Sequence, residues 1–294
     1  MKKILVPLDG SRAAETALVS AGWLAARTGA EVTLLHVIEQ AAHPRIHGDR
    51  HLVDAAEAQD YLGRVASEQL PEGVSHRIHV HDEATAHVAA SIASHEVEFG
   101  TDLLVINPHG REGWRAWLAG NIPQRVAKRV VTPVLIARSV PGEETGFGKI
   151  LIPDDASPVH DGEWTVCFEM ARAGNSGVEL LTVVETTDTL GGVGAATAAF
   201  LPRSTDLVLE LLEEEARGHL EGHVEQFRLQ GIKAEAEILR GDPFSVLCSV
   251  IGESRPGLVV LRTHRRAGME AWFSGSLTCR LLHHIGTSVL LMPL

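Results

Sequence analysis

Four short groups of residues in the first half of the chain combine the types needed to bind a phosphate-bearing ligand. They are Asp9-Gly10-Ser11, Val37-Ile38, Asn107-Pro108-His109-Gly110 and Gly120-Asn121. Glycines let backbone N–H groups approach an anion closely, and a helix N-terminus adds a partial positive charge. A carboxylate such as Asp9 can accept hydrogen bonds from ribose or adenine, and apolar side chains can flank a base. Each glycine can equally well serve a strand-to-helix turn without any ligand.

The elements that must position these groups are short apolar runs. Residues 4–6 and 103–106 are runs of Ile, Val and Leu without alternation, which predicts strands buried on both faces of a parallel sheet covered by helices. Between the runs, apolar residues recur at spacings of three and four, and Ser11 and Gly29 stand where a helix would be capped and ended. Ligands of open parallel sheets bind beyond the carboxyl ends of the strands. All four groups are therefore predicted to lie at one edge of the sheet.

The chain contains an internal repeat. Residues 4–11 recur at 150–157 and residues 32–39 at 178–185, both displaced by 146 positions, whereas later matches such as Gly120 with Gly275 are displaced by 155. Nine extra residues have therefore entered the second half, between its second and fourth strands. Each half has the order β-α-β-α-β-α-β-α-β, which predicts an α/β fold of two tandem five-stranded, parallel, doubly wound domains.

The predicted domain boundaries are 1–140 and 148–294. A linker rich in Pro, Gly and charge joins them at 139–148. The predicted helices, beyond the first one after Ser11, are 54–70, 84–98, 122–131, 158–173, 205–229, 243–253 and 277–285.

Composition and charge exclude several classes of partner. The 294 residues carry a formal net charge of −12 and no long Lys/Arg block, so no nucleic-acid or anionic-membrane partner is expected. No apolar segment approaches the ~20 residues of a membrane span or forms a signal-peptide core, so we expect no membrane insertion and a cytoplasmic location. Three scattered cysteines, Cys167, Cys248 and Cys279, fit buried thiols in a reducing compartment.

The residues at the strand ends resemble those of the universal stress protein family. The resemblance rests on residues 7–11, 35–37, 109–111 and 133–135 together with Gly120, and it covers both halves. It implies a Rossmann-like, adenine nucleotide alpha hydrolase-like fold in each half. It also implies ATP or another adenine nucleotide, with or without Mg²⁺, as the ligand. Adenine is then expected near Asp9 and Val37, with the phosphates at the glycine loop.

The ATP-binding members of that family carry a pattern of Gly, two residues, Gly, nine residues, then Gly and Ser or Thr. This chain keeps the spacing but changes the residues. In the first half the pattern positions are Asn107, Gly110, Gly120 and Asn121. Asparagine tolerates positive φ and can cap a helix, so nucleotide binding remains compatible with this half.

In the second half the pattern positions are Arg262, Arg265, Gly275 and Ser276. An arginine could bind an anion by donating hydrogen bonds from several N–H groups of its guanidinium. It could equally pair with Asp154 and Asp155 and close an empty pocket. The first half is therefore expected to be the competent one.

The resemblance yields a set of expected ligand-contacting residues. In the first half they are Pro7, Leu8, Asp9, Val37, Asn107, His109, Gly110, Gly120, Asn121 and Ile122. Their second-half equivalents are Asp155, Val183, Arg262, Arg265, Gly275 and Ser276.

Three functions are compatible with the sequence. The first is a stress-response protein that binds an adenine nucleotide in its first domain and acts as a regulatory module through protein partners. The second is a nucleotide-free scaffold, which Arg262 and Arg265 favour. The third is a slow ATPase in which Asp9 orients water or magnesium; because no catalytic motif is found, at most weak ATP hydrolysis is expected. The resemblance further implies an intrachain pseudo-dimer of the two halves and a possible homodimer.

Histidine spacing raises the question of a metal site. His43, His47 and His51 are spaced by four, as zinc ligands on one helix face would be. Pro44 and Gly48 interrupt such a helix, which favours a solvated loop, so no metal site is predicted. The histidines at 76, 79 and 81 are interpreted as surface residues, with a pH-sensitive edge as the alternative.

A glycine run at 191–194 lies in the inserted segment of the second half. It lacks the strand-then-helix context that a dinucleotide fingerprint requires. We therefore interpret it as a mobile lid or a disordered loop.

Overall fold

The structure is a computed structural model that describes residues 1–40, 45–46, 49–107, 122–138, 146–155, 162–263 and 277–293. The chain divides into two compact units, the first comprising Met1–Gly146 with Ser288–Pro293 and the second Phe147–Thr287. Strands and helices alternate in each unit, so the predicted α/β class is confirmed.

The described elements follow in chain order. The first unit contains β1 (Lys3–Pro7), α1 (Arg12–Glu15), α2 (Ala17–Thr28), β2 (Glu31–Glu39), β3 (Arg45–Ile46), β4 (Asp49–Arg50), α3 (Ala55–Gln69), β5 (His76–Thr85), α4 (Val88–Phe99), β6 (Leu103–Ile106), α5 (Ile122–Ala127) and β7 (Val134–Ile136). The second contains β8 (Lys149–Pro153), α6 (Thr165–Gly174), β9 (Gly177–Val184), α7 (Gly192–Phe200), α8 (Pro202–Leu229), β10 (Ala234–Arg240), α9 (Pro243–Ser254), β11 (Leu258–Thr263) and α10 (Leu277–His284). The last strand, β12 (Ser288–Pro293), groups with the first unit.

In each unit, the strands that the repeat predicts to be parallel neighbours are parallel. In the first unit the order is β5-β2-β1-β6-β7, and β12 adds an antiparallel strand beside β7. In the second unit the order is β10-β9-β8-β11. The apolar residues 4–6 are buried on both faces of their sheet, because helices cover parallel sheets on each side.

The two units repeat the same strand register. β1 pairs with β2 from Lys3 opposite Glu31 to Pro7 opposite Leu35, and β8 pairs with β9 from Lys149 opposite Gly177 to Pro153 opposite Leu181. All four positions in the second pair are displaced by 146 residues from those in the first. The residues that follow β1 and β8 therefore occupy equivalent positions, which allows the two strand ends to be compared residue by residue.

The single helix predicted after β1 is divided at Thr16 into α1 and α2, but its two outer ends lie where predicted. The Ser11 side chain accepts a hydrogen bond from the Ala14 N–H and caps α1, and Gly29 ends α2 in the left-handed region at φ 72°. Asn175, displaced by 146 residues from Gly29, ends α6 in the same region at φ 47°. Asparagine is the residue that best replaces glycine there.

Several local predictions were wrong. The helix predicted at 122–131 ends at Ala127, and the helix predicted at 158–173 begins at Thr165, after a turn at 162–164. The helix predicted from residue 84 begins at Val88, because β5 continues to Thr85, which pairs with Glu39 of β2. The glycine run at 191–194 is not a loop: it opens α7, whose remaining residues are mostly alanine, the strongest helix former. None of the helices in the described ranges combines the length and the apolarity that a membrane crossing demands.

Candidate functional site

A cleft opens at the carboxyl ends of β1, β2 and β6 in the first unit. Its empty space, including the open mouth, is about 660 Å³. The neighbours of β1 are β2 on one side and β6 on the other, so the sheet order reverses here, and such a switch point leaves a crevice for ligands. Five predicted contact residues line it together: Pro7, Leu8, Asp9, Val37 and Asn107.

Asp9 is held in one orientation at the end of β1. Its Oδ1 accepts hydrogen bonds from the Ser11 N–H at 2.9 Å and from the Ser11 hydroxyl at 2.6 Å. Ser11 in turn accepts from the Ala14 N–H at 3.2 Å, so a single buried hydroxyl links the carboxylate to the start of α1. A half-buried carboxylate fixed in this way is a preorganised acceptor for a ligand hydroxyl or amino group.

His36 supports the floor of the cleft. Its ring is 1% exposed, with Nδ1 2.7 Å from the Leu8 carbonyl oxygen and Nε2 3.2 Å from the Leu52 carbonyl oxygen. The imidazole therefore ties the end of β1 to the segment before α3. Sequence reasoning did not assign this role, although a histidine inside an apolar strand is a signal that could have suggested it.

The walls of the cleft are mostly apolar. Val37 comes from β2, Val88 and Ile92 come from α4, and Val126 comes from α5. Their side chains provide surfaces against which a flat ring can pack. The sequence identified Val37 only, because the faces of α4 and α5 that turn toward the cleft depend on helix packing.

An acidic residue and a histidine extend the polar side of the cleft. Glu39 and His51 both line it, and their Oε2 and Nε2 atoms lie 3.8 Å apart. The His51 side chain is buried, whereas that of Glu39 is one-third exposed. His51 is thus a cleft residue, while His43 and His47 of the same predicted group lie outside the described ranges.

Asn107 follows β6 on the other side of β1. Its side-chain amide donates a hydrogen bond to the Thr16 hydroxyl, which links β6 to the start of α2. The predicted contacts His109, Gly110, Gly120 and Asn121 lie outside the described residues. Ile122 is the first residue of α5.

In the second unit, buried charges occupy the equivalent positions. Asp154 stands where the first unit has Leu8, and Arg262 stands where it has Asn107. The Arg262 Nη1 lies 3.1 Å from Asp154 Oδ1 and 3.7 Å from Asp155 Oδ1, and its Nε donates to Glu163 Oε1 at 2.8 Å. The side chains of Arg262, Asp154 and Glu163 are 3%, 0% and 7% exposed. We call these three residues, with His223, the charge cluster.

His223 completes the charge cluster, and the indole of Trp164 packs against it. His223 of α8 donates from Nδ1 to Asp154 Oδ2 at 2.7 Å. The Trp164 ring lies 5.7 Å from the His223 ring and 5.6 Å from the Arg262 guanidinium carbon. Burial, together with the negative charge of Glu163, raises the pKa of the nearby Cys167 thiol, so this thiol stays protonated near neutral pH.

Of the other predicted second-half contacts, two lie in the described residues. Asp155 is largely exposed, and Val183 lies half-buried on β9, where it pairs with Leu239. Arg265, Gly275 and Ser276 lie outside the described residues. As for metals, no group of three or more His, Cys, Asp or Glu side chains converges on one point within the part of the chain that the structure describes.

Comparison with known proteins matches both halves to one family. The model of the universal stress protein family matches residues 1–138 and again residues 146–293. The chain is 27% identical over 148 residues to universal stress protein YxiE of Bacillus subtilis (strain 168), an alignment that covers 46% of this chain and 98% of that protein. It is 30% identical over 139 residues to a universal stress protein of Mycolicibacterium smegmatis, covering 46% of this chain and 45% of the relative.

Solved structures resemble the whole chain. The functionally unknown protein PA1789 from Pseudomonas aeruginosa PAO1 has a TM-score of 0.69 at 16% identity, covering 100% of this chain and 92% of that one. A universal stress protein from Archaeoglobus fulgidus DSM 4304 has a TM-score of 0.62 at 14% identity, covering 99% and 96%. At these identities the likeness concerns the fold.

Proposed function

The chain belongs to the universal stress protein family, and on that premise we propose that its first domain binds ATP or a related adenine nucleotide. The observation that carries the proposal is the cleft at the end of β1. There the fixed carboxylate of Asp9 lines the same space as the apolar side chains of Val37, Val88 and Ile92. A ribose or adenine edge needs a polar acceptor, and the face of a base needs apolar surface.

The residues of the cleft fit the nucleoside part of such a ligand. Asp9 would accept a hydrogen bond from ribose or adenine, and Val37 with Ile92 would flank the base. Asn107 would offer its amide beside the strand end. The phosphates, with or without Mg²⁺, are proposed to lie against Gly110 and Gly120, which are outside the described residues.

We further propose that the second half does not bind the nucleotide. Its arginine at the position of Asn107 is already engaged by the buried carboxylates of Asp154 and Glu163. A guanidinium held by two buried carboxylates is a poor anion receptor, because releasing it would leave those carboxylates buried without their partner.

The proposed role is regulatory and cytoplasmic. Nucleotide binding in the first domain would change the interactions of the protein with its partners, and hydrolysis would be weak at most. The proposal includes the intrachain pseudo-dimer and the possible homodimer of whole chains that the family resemblance implies.

The first experiment is to identify small molecules released from the denatured protein by mass spectrometry, followed by calorimetric titration of the ligand-free chain with ATP and Mg²⁺. We expect one nucleotide per chain. The variant Asp9→Ala should bind at least about tenfold more weakly, since a hydrogen bond to a charged group contributes about 1.5–3 kcal/mol. The matched control is Asp155→Ala in the second half, which should bind like the unmodified chain. The absence of both a released nucleotide and binding heat would favour the nucleotide-free scaffold instead.

A further inference from the structure

Three histidines of the first unit lie together, and the proposed function does not use them. His79 and His81 are two residues apart on β5 and so share one face of that strand. His95 lies opposite them on α4, with its ring centroid 4.6 Å from that of His79 and 5.1 Å from that of His81. β5 is the outermost strand of its sheet, and His81 is only half-buried, so solvent ions can reach this cluster.

A carboxylate fixes the tautomer of the central histidine. His95 Nδ1 lies 2.9 Å from Glu98 Oε2, and because a carboxylate only accepts, Nδ1 carries the proton. In the neutral ring, Nε2 therefore presents its lone pair, and it lies 3.2 Å from His81 Nδ1. A carboxylate that holds one ring nitrogen while the other faces a ligand is the arrangement found behind metal-binding histidines.

The separation of the two nitrogens suits a shared metal ion. Metal–nitrogen bonds of about 2.0–2.1 Å place two imidazole nitrogens about 2.9 Å apart at a right angle and about 3.4 Å apart at a tetrahedral angle. The observed 3.2 Å lies between these values. We propose that His81 and His95 form a two-histidine site for a divalent late transition metal, with water as the remaining ligands and Glu98 as the positioning residue for His95.

Burial and ring stacking hold the central histidine in place. His95 is 8% exposed and stacks on Phe99 with ring centroids 5.2 Å apart. Without a metal, the His81 Nδ1–H donates to His95 Nε2; with a metal, both nitrogens bind the ion and the His81 proton moves to its own Nε2, so both rings stay neutral and no net proton is released.

The test uses the full chain with His43→Ala and His47→Ala, which leaves His51 as the one histidine of the 43–51 segment. Zn²⁺ and Cu²⁺ affinities are measured by competition with a coloured chelator, and Cu²⁺ is expected to bind more tightly than Zn²⁺. His81→Gln and His95→Gln should each weaken binding at least about tenfold, and Glu98→Gln about 10- to 100-fold. His76→Gln, an exposed histidine of the same strand, is the matched control and should bind like the parent.

A spectroscopic measurement keeps the test independent of stability. Electron paramagnetic resonance of the Cu²⁺ form should show coupling to two imidazole nitrogens in the parent and to one in His81→Gln. An affinity that falls for His81→Gln and His95→Gln but not for His76→Gln, with this change in coupling, supports the site. Unchanged affinity for His81→Gln, an equal loss for His76→Gln, or unchanged nitrogen coupling overturns it.

Discussion

The ends of β1 and β8 have the same strand register, but the side chains around them differ. At the first, Leu8, Asp9 and Asn107 border an open cleft. At the second, Asp154 and Arg262 stand at the positions of Leu8 and Asn107, and they pair with each other in a buried charge cluster. Two residue differences at equivalent strand ends thus separate an open cleft from an internal ion pair, while the strand register stays the same.

In both units, a side chain of the second strand makes a hydrogen bond to the backbone at the end of the first strand. In the first unit His36 reaches the Leu8 carbonyl oxygen at 2.7 Å, and in the second Thr182, displaced by 146 residues, donates to the Asp154 carbonyl oxygen at 2.9 Å. A polar side chain on the second strand thus holds the end of the first strand in both units. The chemistry of the site changes while this support persists.

The largest expected effect comes from removing the arginine of the charge cluster. Arg262→Ala leaves the carboxylates of Asp154 and Glu163 buried without their cation, which should lower the free energy of unfolding by about 3–5 kcal/mol. Asn107→Ala, the matched change in the first unit, removes one hydrogen bond and should cost about 1 kcal/mol. Urea unfolding, with hydrogen exchange to locate the unstable unit, measures both; equal costs would contradict the contrast between the two strand ends.

A smaller effect is expected when the first-unit residues are transplanted as a set. The triple variant Asp154→Leu, Glu163→Ala, Arg262→Asn copies Leu8, Ala17 and Asn107 into the second unit. Replacing both carboxylates together with the arginine avoids an unpaired buried charge and costs less than removing one partner alone, although His223 would lose its acceptor at a cost of about 1–3 kcal/mol. The triple variant should therefore be more stable than Arg262→Ala in the same urea assay. A triple variant that is less stable than the single one would show that the cluster is not the reason for the loss.

The smallest expected effect concerns the residue just before β6 in the first unit and just before β11 in the second. A Cβ at Gly257 would overlap the Phe147 carbonyl oxygen, so Gly257→Ala forces a backbone shift that should cost about 1–3 kcal/mol. Its first-unit counterpart is Asp102, whose carboxylate accepts from the backbone N–H groups of Lys2 and Lys3. Because these bonds are exposed, Asp102→Ala should cost about 1 kcal/mol or less. Thermal unfolding of the two variants checks the order, and a reversed order would show that the close approach at Gly257 relaxes freely.

Much of the fold was predictable because it depends on local pattern. The repeat at a displacement of 146 residues predicted the shared strand order, and Ser11 and Gly29 predicted the ends of the first helical segment. The wrong predictions arose where two local signals competed. Gly191 and Gly192 indicated a loop, but the alanines after them carry a helix to Phe200.

The site was predictable only at the strand ends. Asp9, Val37 and Asn107 could be found because parallel strands bring their carboxyl ends to one edge. Val88, Ile92 and Glu39 could not, since their presence in the cleft depends on how α4 packs and on the length of β2. The partners of Arg262 were foreseen in Asp154 and Asp155, whereas Glu163 comes from the turn before α6 and His223 from α8, which a strand-end motif does not reveal.

The most direct test of the account is to place the second-unit arginine in the first unit. Asn107→Arg would bring a guanidinium beside Asp9, as Arg262 lies beside Asp155, and calorimetric titration with ATP and Mg²⁺ would measure the consequence. We expect one nucleotide per unmodified chain. In the folded variant, the affinity for ATP should fall at least about tenfold, or by about 1.4 kcal/mol. Unchanged affinity in Asn107→Arg, or two equivalent nucleotides per unmodified chain, would contradict it.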